Sequence, residues 1–466
     1  MRHNKDFRQS ANRFIRDRGG NFAIVFGVAA SMLALVVGFG VDTAQLMNAR
    51  SALRETVDAA VTSTARSITL GDITEKQAPD MVKAFLNANG RGGILPPEEI
   101  VLDRLTIDQT AKTVEVEAHV DVPLYFPLFG MSNSRRVSNV GAAIYSDKRI
   151  EVAMMLDVTG SMKGQKIDDL QAAAKNAVKS LLQGNAHADN PRVRVAIVPY
   201  AEAVNTGKLA DTVFVEKAGG SDLPPPIDQP MAVSAKSGPD KCATERKTAG
   251  GKADFTDDAP DQQRLNSAGK LYLAKVNRDD RLITCPAAEL VALTADENKL
   301  LDTIKDFNAS GVTAGGIAAQ WGYYMLSPRW RPAITAAGAG SGPADFNAKK
   351  VAKVAILMTD GAFNTAFAGV PVSNDKKKQP QNYQGDKSRS YAESICANMK
   401  KDGISVFTIG FALPSSESSQ ARAVLKDCAS DDTSSMKHFY DVSTGPELDA
   451  AFKEIIANTE RLALTK

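Results

Sequence analysis

Residues 153–162 read AMMLDVTGSM. An apolar run stops at Asp157, and hydroxyls then recur at every second position, Thr159 and Ser161. The longer stretch IEVAMMLDV is continuously apolar, which suits a strand buried on both faces of a sheet. The segment DVTGS at its end has two readings: an Asx-type turn that caps a helix, or oxygen ligands for a hard cation. The neighbouring segments decide the fold. QKIDDLQAAAKNAVKSLLQG is an amphipathic helix with Ile167, Leu170, Ala174, Ala177, Val178 and Leu181 on its apolar face. VRVAIVPY is a second buried strand, and TADENKLLDTIKDF opens a helix with a capping box on Thr294 and Glu297. VAKVAILMTDG, GISVFTIGF and HFYDV are further strands, and GPELDAAFKEIIANTERL is a closing helix. Alternating strands and helices predict an α/β domain with a mostly parallel, Rossmann-like sheet over about residues 149–462.

Ligands of such sheets gather beyond the carboxyl ends of the strands. Three features are expected there: DVTGS, Thr313 in SGVTAGG just before a helix starting near Ile317, and Asp360 in LMTDG. Ser and Thr hydroxyls and Asp carboxylates supply the oxygens that Mg²⁺ prefers. Read singly, each feature is more often a turn than a ligand.

Residues 205–290 interrupt the alternation. SDLPPPIDQP and KTAGGKADFTDDAPDQQ are rich in Pro, Gly and charge, so the segment is an elaboration of the fold with no core of its own. Cys242 and Cys285 bracket its second half; Cys396 precedes GISVFTIGF and Cys428 comes after it. The four cysteines fall into two local pairs and suit two disulfides, the alternative for Cys396 and Cys428 being buried thiols. Disulfides fit an oxidising compartment.

The N-terminal part is of another kind. NFAIVFGVAASMLALVVGFGV, residues 21–41, carries no charge and has the length of a membrane-spanning helix. Six Arg and Lys against two Asp precede it, and the next basic residue is Arg50. The positive-inside rule orients residues 1–20 to the cytoplasm. A cleaved signal peptide is the rival, but the stretch exceeds an h-region of about 7–15 residues. The helix is expected to run on through 42–70, with a stripe of Leu46, Leu53, Val57, Ala60, Val61, Ala65 and Ile68 that needs a partner. That partner is either the chain's own next module or another copy, by self-association. Residues 71–148 read as a small α+β module: a helix near 76–90, TVEVEAHVDV with Val114, Val116, Ala118 and Val120 on one face, and a strand in SRRVSNVGAAIYSD.

Composition narrows the function. The net charge of +2 suggests no nucleic-acid partner. Four histidines without HExxH, and cysteines without CxxC, argue against an ordinary zinc site. There is no GxSxG and no P-loop; SSMK at 434–437 lacks the accompanying motifs of a serine hydrolase of that type. The reading is that the chain is not an enzyme.

DVTGSM, Thr313 and TDG together resemble the metal-ion-dependent adhesion site of von Willebrand factor type A domains. That resemblance implies a Mg²⁺ (or Mn²⁺/Ca²⁺) ion held by Asp157, Thr159, Ser161, Thr313 and Asp360, its shell completed by an acidic residue of a protein partner. Thr159 departs from the usual Ser. The anchor region, with GGIAAQWGYYMLSP, LMTDGAFNT and CANMKKDGISVFTIGF, is similar to TadE/TadG-like proteins of tight-adherence (Flp-type) pili. This implies a bacterial inner-membrane protein, single-pass, with its C-terminal domain periplasmic, serving pilus assembly by binding a pilus or envelope partner. A surface adhesin using the same domain, and a scaffold with a vestigial metal site, remain as alternatives. Val25 stands where prepilin-peptidase substrates carry Glu, so no cleavage after Gly20 is expected.

Overall fold

The computed structural model describes residues 19–70, 72–89, 100–127, 132–146, 148–185, 191–215, 241–279, 281–371, 380–413 and 418–464. Residues 1–18 and the segment SDLPPPIDQP lie outside the described residues. The chain forms two compact units: Met1–Ile68 with Ile73–Tyr145, and Thr69–Asp72 with Ser146–Lys466.

The first unit is built on α1, Gly19–Leu70, an uninterrupted helix of 52 residues. At about 1.5 Å per residue it is roughly 78 Å long. It is long and apolar enough at its start to cross a membrane. Helix α2 (Ala78–Asn89) and an antiparallel sheet of β1 (Val101–Asp108), β2 (Thr113–Pro123) and β3 (Ser134–Ile144) complete the unit, with β2 in the centre. The alternation in β2 does what its period dictates. Val114, Val116, Ala118, Val120 and Val122 are fully buried, each valine contributing about 1.5–3 kcal/mol. They pack on Leu53, Val57, Ala60, Val61, Ala65 and Ile68 of α1. The stripe on 42–70 is thus covered by the chain's own module, and the surface on which the self-association reading rested is taken up within the unit.

The second unit is a mixed α/β domain. Its strands are β4 (Arg149–Asp157), β5 (Val193–Tyr200), β12 (Val291–Thr294), β13 (Val351–Thr359), β14 (Ser405–Phe411) and β15 (Phe439–Val442). They lie in the order β12-β5-β4-β13-β14-β15, all parallel except β12. In chain sequence this is 3-2-1-4-5-6, the doubly wound order, which reverses between β4 and β13. Helices α3 (Gln165–Leu182), α4 (Glu297–Lys305) and α9 (Gly445–Leu464) cover one face, against Val152, Met154, Leu156, Ile356 and Met358. Helices α5 (Gly315–Leu326), α7 (Gly385–Lys401) and α8 (Ser418–Cys428) cover the other, against Ala153, Met155, Ala355 and Leu357. The short α6 (Arg331–Ala336) comes after α5. Alternate residues of each central strand feed opposite cores, so these strands read as unbroken apolar runs.

One local expectation fails. Thr294 does not cap α4; it is the last residue of β12, paired with Val195. Asp296 is the cap, its carboxylate accepting from Lys299 N–H at 3.1 Å. The strand pairing claims Thr294 first, and an aspartate two residues on is an equally good acceptor for the helix's free N–H groups.

The 205–290 insertion adds two short strands to the sheet edge, β6 (Val204–Asn205) and β8 (Cys242–Ala243), and forms two small two-stranded sheets of its own: β7 (Val213–Val215) parallel to β11 (Val276–Arg278), and β9 (Gln263–Leu265) antiparallel to β10 (Leu271–Leu273). Leu209, Val213, Ala243 and Val276 join the core of the main sheet, so the insertion has no separate core among the described residues. It also buries charge: Arg246 pairs with Asp254 at 2.9 Å, and Lys247 with Asp279 at 3.1 Å.

Both cysteine pairs are disulfides, Cys242–Cys285 and Cys396–Cys428, with Cα–Cα distances of 6.1 and 5.0 Å. The second joins α7 to α8 in the core. It closes 32 residues, for which chain entropy gives about 3–4 kcal/mol. Replacing Cys396 and Cys428 together by Ser is expected to lower stability by about that amount. Denaturant unfolding monitored by Trp fluorescence measures it, since Trp321 and Trp330 are both buried in this unit.

Candidate functional site

The register of β4 on β13 places Leu156 opposite Met358. Asp157 and Thr359 are therefore the next pair, and Asp360 is one residue further, at the carboxyl ends where the strand order reverses. Both carboxylates are fully buried. Asp157 Oδ1 accepts from Thr159 N–H at 2.9 Å, an Asx turn, and its Oδ2 accepts from the Thr359 hydroxyl at 2.7 Å. The Asx turn of DVTGS is made by Asp157 and the Thr159 backbone, which leaves both hydroxyls outside it. Thr159 precedes a 3-10 turn, Gly160–Met162, without capping it through its side chain. Its Oγ1 lies 2.9 Å from Ser161 Oγ, and Ser161 donates to Asp360 Oδ1 at 2.6 Å. Ser161 is exposed, so the cluster opens outward there.

Thr313 arrives from a neighbouring loop. Gly160 N–H donates to Gly311 carbonyl at 3.0 Å, and Ser310 N–H to Val158 carbonyl at 2.9 Å, which ties residues 310–311 to the DVTGS turn. Gly311 has φ +80 and a side chain there would run into the Thr284 hydroxyl, so the close approach needs glycine. Thr313 is buried, and its N–H donates to Asn364 Oδ1 at 3.0 Å. Among the described residues no hydrogen bond joins its hydroxyl to the other four side chains. Hydrogen bonds thus link Asp157, Thr159, Ser161 and Asp360, while Thr313 stands beside them on its own loop.

Lys166, in the first turn of α3, carries no mark in the sequence pattern. Its ammonium lies 2.8 Å from Asp360 Oδ2, with a longer contact of 3.4 Å to the carbonyl of Ala412. Ala412 comes just after β14 with φ +46, an uncommon conformation for a residue with a Cβ. The available signal is position: a lysine five residues beyond Ser161 at a helix start faces back over the strand ends. Thr359, the last residue of β13 and the first of TDG, and Asn364 likewise have no role in the sequence pattern, since a single Thr or Asn has no distinctive spacing.

Burial, then the nearby charge of Asp360, pushes the Asp157 carboxyl up to about 6; its hydrogen bonds from Thr159 and Thr359 oppose this. Lys166 offsets one charge of the pair but touches Asp360 alone. The donor set is all oxygen and carries uncompensated anionic charge, which fits a hard divalent cation. Among the described residues no group of three or more His, Cys, Asp or Glu side chains could hold a metal; this cluster has two carboxylates and relies on hydroxyls.

The insertion reaches the rim. Thr284 and Ile283 donate through their N–H groups to Glu202, at 3.3 and 3.2 Å. Burial holds the Glu202 carboxyl above its ordinary range. Arg281 donates to the carbonyls of Phe367 and Val370, beside the loop after β13.

No family description matches the sequence, and no curated protein matches it. Solved structures do. The pilus adhesin SpaC from Lactobacillus rhamnosus GG is 10% identical over 78% of this chain, with a TM-score of 0.38; the chain spans 35% of SpaC. The vWF domain of the type V pili tip protein Mfa5 from Porphyromonas gingivalis is 13% identical, covering 69% of this chain and 97% of that one, with a TM-score of 0.37. Proximal thread matrix protein 1 from the mussel byssus, with a zinc-occupied MIDAS motif, is 13% identical over 67% of this chain and 46% of its own, at a TM-score of 0.33. Values this low carry no functional argument.

A folded-state value above the ordinary 3.8 means that folding favours protonated Asp157. Its stabilising contribution is present below about pH 4 and is lost as pH rises through about 6. In buffer free of divalent ions, wild-type protein is expected to lose stability relative to Asp157→Asn across that window. Denaturation midpoints at several pH values measure the difference, and a constant difference would contradict it.

Proposed function

We propose that the chain is a membrane-anchored, non-catalytic interaction protein of the adhesin type, meeting a protein partner with the carboxyl-end face of its type A domain. The observation that carries this reading is the buried pair Asp157 and Asp360 with exposed Ser161 above it. Asp157, Thr159, Ser161, Thr313 and Asp360 are the residues that would hold Mg²⁺, Mn²⁺ or Ca²⁺. Such an ion supplies an open coordination position for an acidic group of the partner. The chain's own residues orient those oxygens: Thr359 and the Thr159 backbone hold Asp157, and Lys166 and Ser161 hold Asp360.

In this reading the apolar start of α1 lies in a bacterial inner membrane, with the basic segment 1–20 cytoplasmic and the second unit periplasmic. The basic flank and the two disulfides support that orientation. A role in tight-adherence pilus assembly rests on the sequence resemblance alone.

One observation favours a second reading. The Lys166 ammonium already occupies an oxygen of Asp360, as in a scaffold whose cation site is vestigial and filled by a side chain. Calorimetric titration of the full chain with Mg²⁺ and Mn²⁺ separates the two. The adhesin reading expects binding by wild type that Asp157→Ala abolishes, together with divalent-dependent partner capture. Binding absent from wild type that emerges in Lys166→Met supports the vestigial site. Binding by neither protein removes the metal from the function.

A further inference from the structure

The connection after β2 puts two large side chains on the outside of the first unit: Tyr125 is 68% and Phe126 is 52% exposed. The connection is fastened at its base. The backbone N–H groups of Tyr125 and Phe126 donate to the two carboxylate oxygens of Asp42, at 2.8 and 3.0 Å. Asp42 is buried and lies on α1 immediately after the apolar stretch 21–41. The Phe126 ring rests over Gly38, where a Cβ would come within 2.6 Å of its Cγ. Glycine at this position is what lets the ring approach the helix backbone. Around the same level α1 exposes Val36, Val37, Phe39 and Val41. The two aromatic side chains therefore continue an apolar surface that α1 already presents.

We propose that Tyr125 and Phe126 form an interfacial membrane contact, entering the boundary between headgroups and acyl chains of the bilayer that α1 spans. They hold the three-stranded module against the membrane on the side of residues 42 onward. This rests on the reading of α1 as a membrane span. Depth argues for lipid as the occupant. Gly38 lies three residues before Val41, about 4–5 Å inside the end of the apolar stretch, so a ring resting on it sits at the edge of the hydrocarbon. Tyrosine, apolar in its ring and polar at its tip, is favoured at that level. Backbone N–H groups near lipid must be paired within the protein, and Asp42 pairs both. Asp42 is thus a positioning residue, and its two charge-assisted hydrogen bonds set the height of the aromatic side chains.

All native cysteines are in disulfides, so a single introduced cysteine can be labelled selectively. The full chain in lipid nanodiscs is labelled with an environment-sensitive fluorophore in Tyr125→Cys, which leaves Phe126 on Gly38. The same label is placed in Val36→Cys within the span and in Tyr383→Cys, at a site 85% exposed in the second unit. Quenching by lipids with a shallow nitroxide is compared with quenching by aqueous iodide. The expected result is that positions 125 and 36 are quenched several-fold more by the lipid than by iodide, and 383 the reverse. Adding Asp42→Ala is expected to move position 125 toward iodide while 36 is unchanged. If 125 behaves like 383 while 36 stays lipid-quenched, the contact is overturned and the anchor stands. If 36 also behaves like 383, the membrane reading itself fails. Shielding of 125 from both quenchers means that protein, such as a second copy, covers it, and this too overturns the proposal.

Discussion

The pairing of β4 with β13 is the constraint on which the second unit depends. These two parallel strands lie where the sheet order reverses, and their register brings Asp157 and Asp360 to neighbouring strand ends. Two carboxylates buried side by side repel each other and lose hydration. Everything near them answers that cost: the Asx turn of Thr159, the hydroxyls of Thr359 and Ser161, and the ammonium of Lys166. The cores on either face, fed by alternate residues of the same strands, hold the two ends in place.

The insertion and the disulfides act on the periphery of this arrangement. Residues 205–290 extend the sheet edge and contribute apolar side chains to one core, while Arg281 and Thr284 reach the loops beside the site. Cys242–Cys285 bounds the second half of the insertion, and Cys396–Cys428 ties two helices of that same face. The insertion frames the cluster, and Ser161 remains exposed.

The first unit solves a different problem with a single helix. Residues 24–41 are apolar and exposed except at Gly38, under Phe126, whereas farther along only one stripe is apolar and a β-sheet covers it. Asp42 stands where one regime gives way to the other and is satisfied by backbone N–H groups from the sheet's own connection.

Much of this was legible in the amino-acid order, because periodicity is a local property. Unbroken apolar runs marked the central strands, the alternation in TVEVEAHVDV marked β2, and the uncharged stretch 21–41 marked the apolar start of α1. Asp157, Thr159, Ser161, Thr313 and Asp360 could be named because each ends a strand or precedes a helix in that pattern. Other facts depend on residues distant in the chain. Thr294 is claimed by β5 and leaves the cap to Asp296; Lys166 finds Asp360; Phe126 finds Gly38. The sequence by itself determined the main strands and helices and the membrane-length apolar helix, though neither β12 nor the short strands of the insertion, since the former depend on side-chain spacing along a few residues. Only the tertiary structure decided which charges and rings meet, because those pairings depend on register and close approach between segments, which spacing along the chain does not encode.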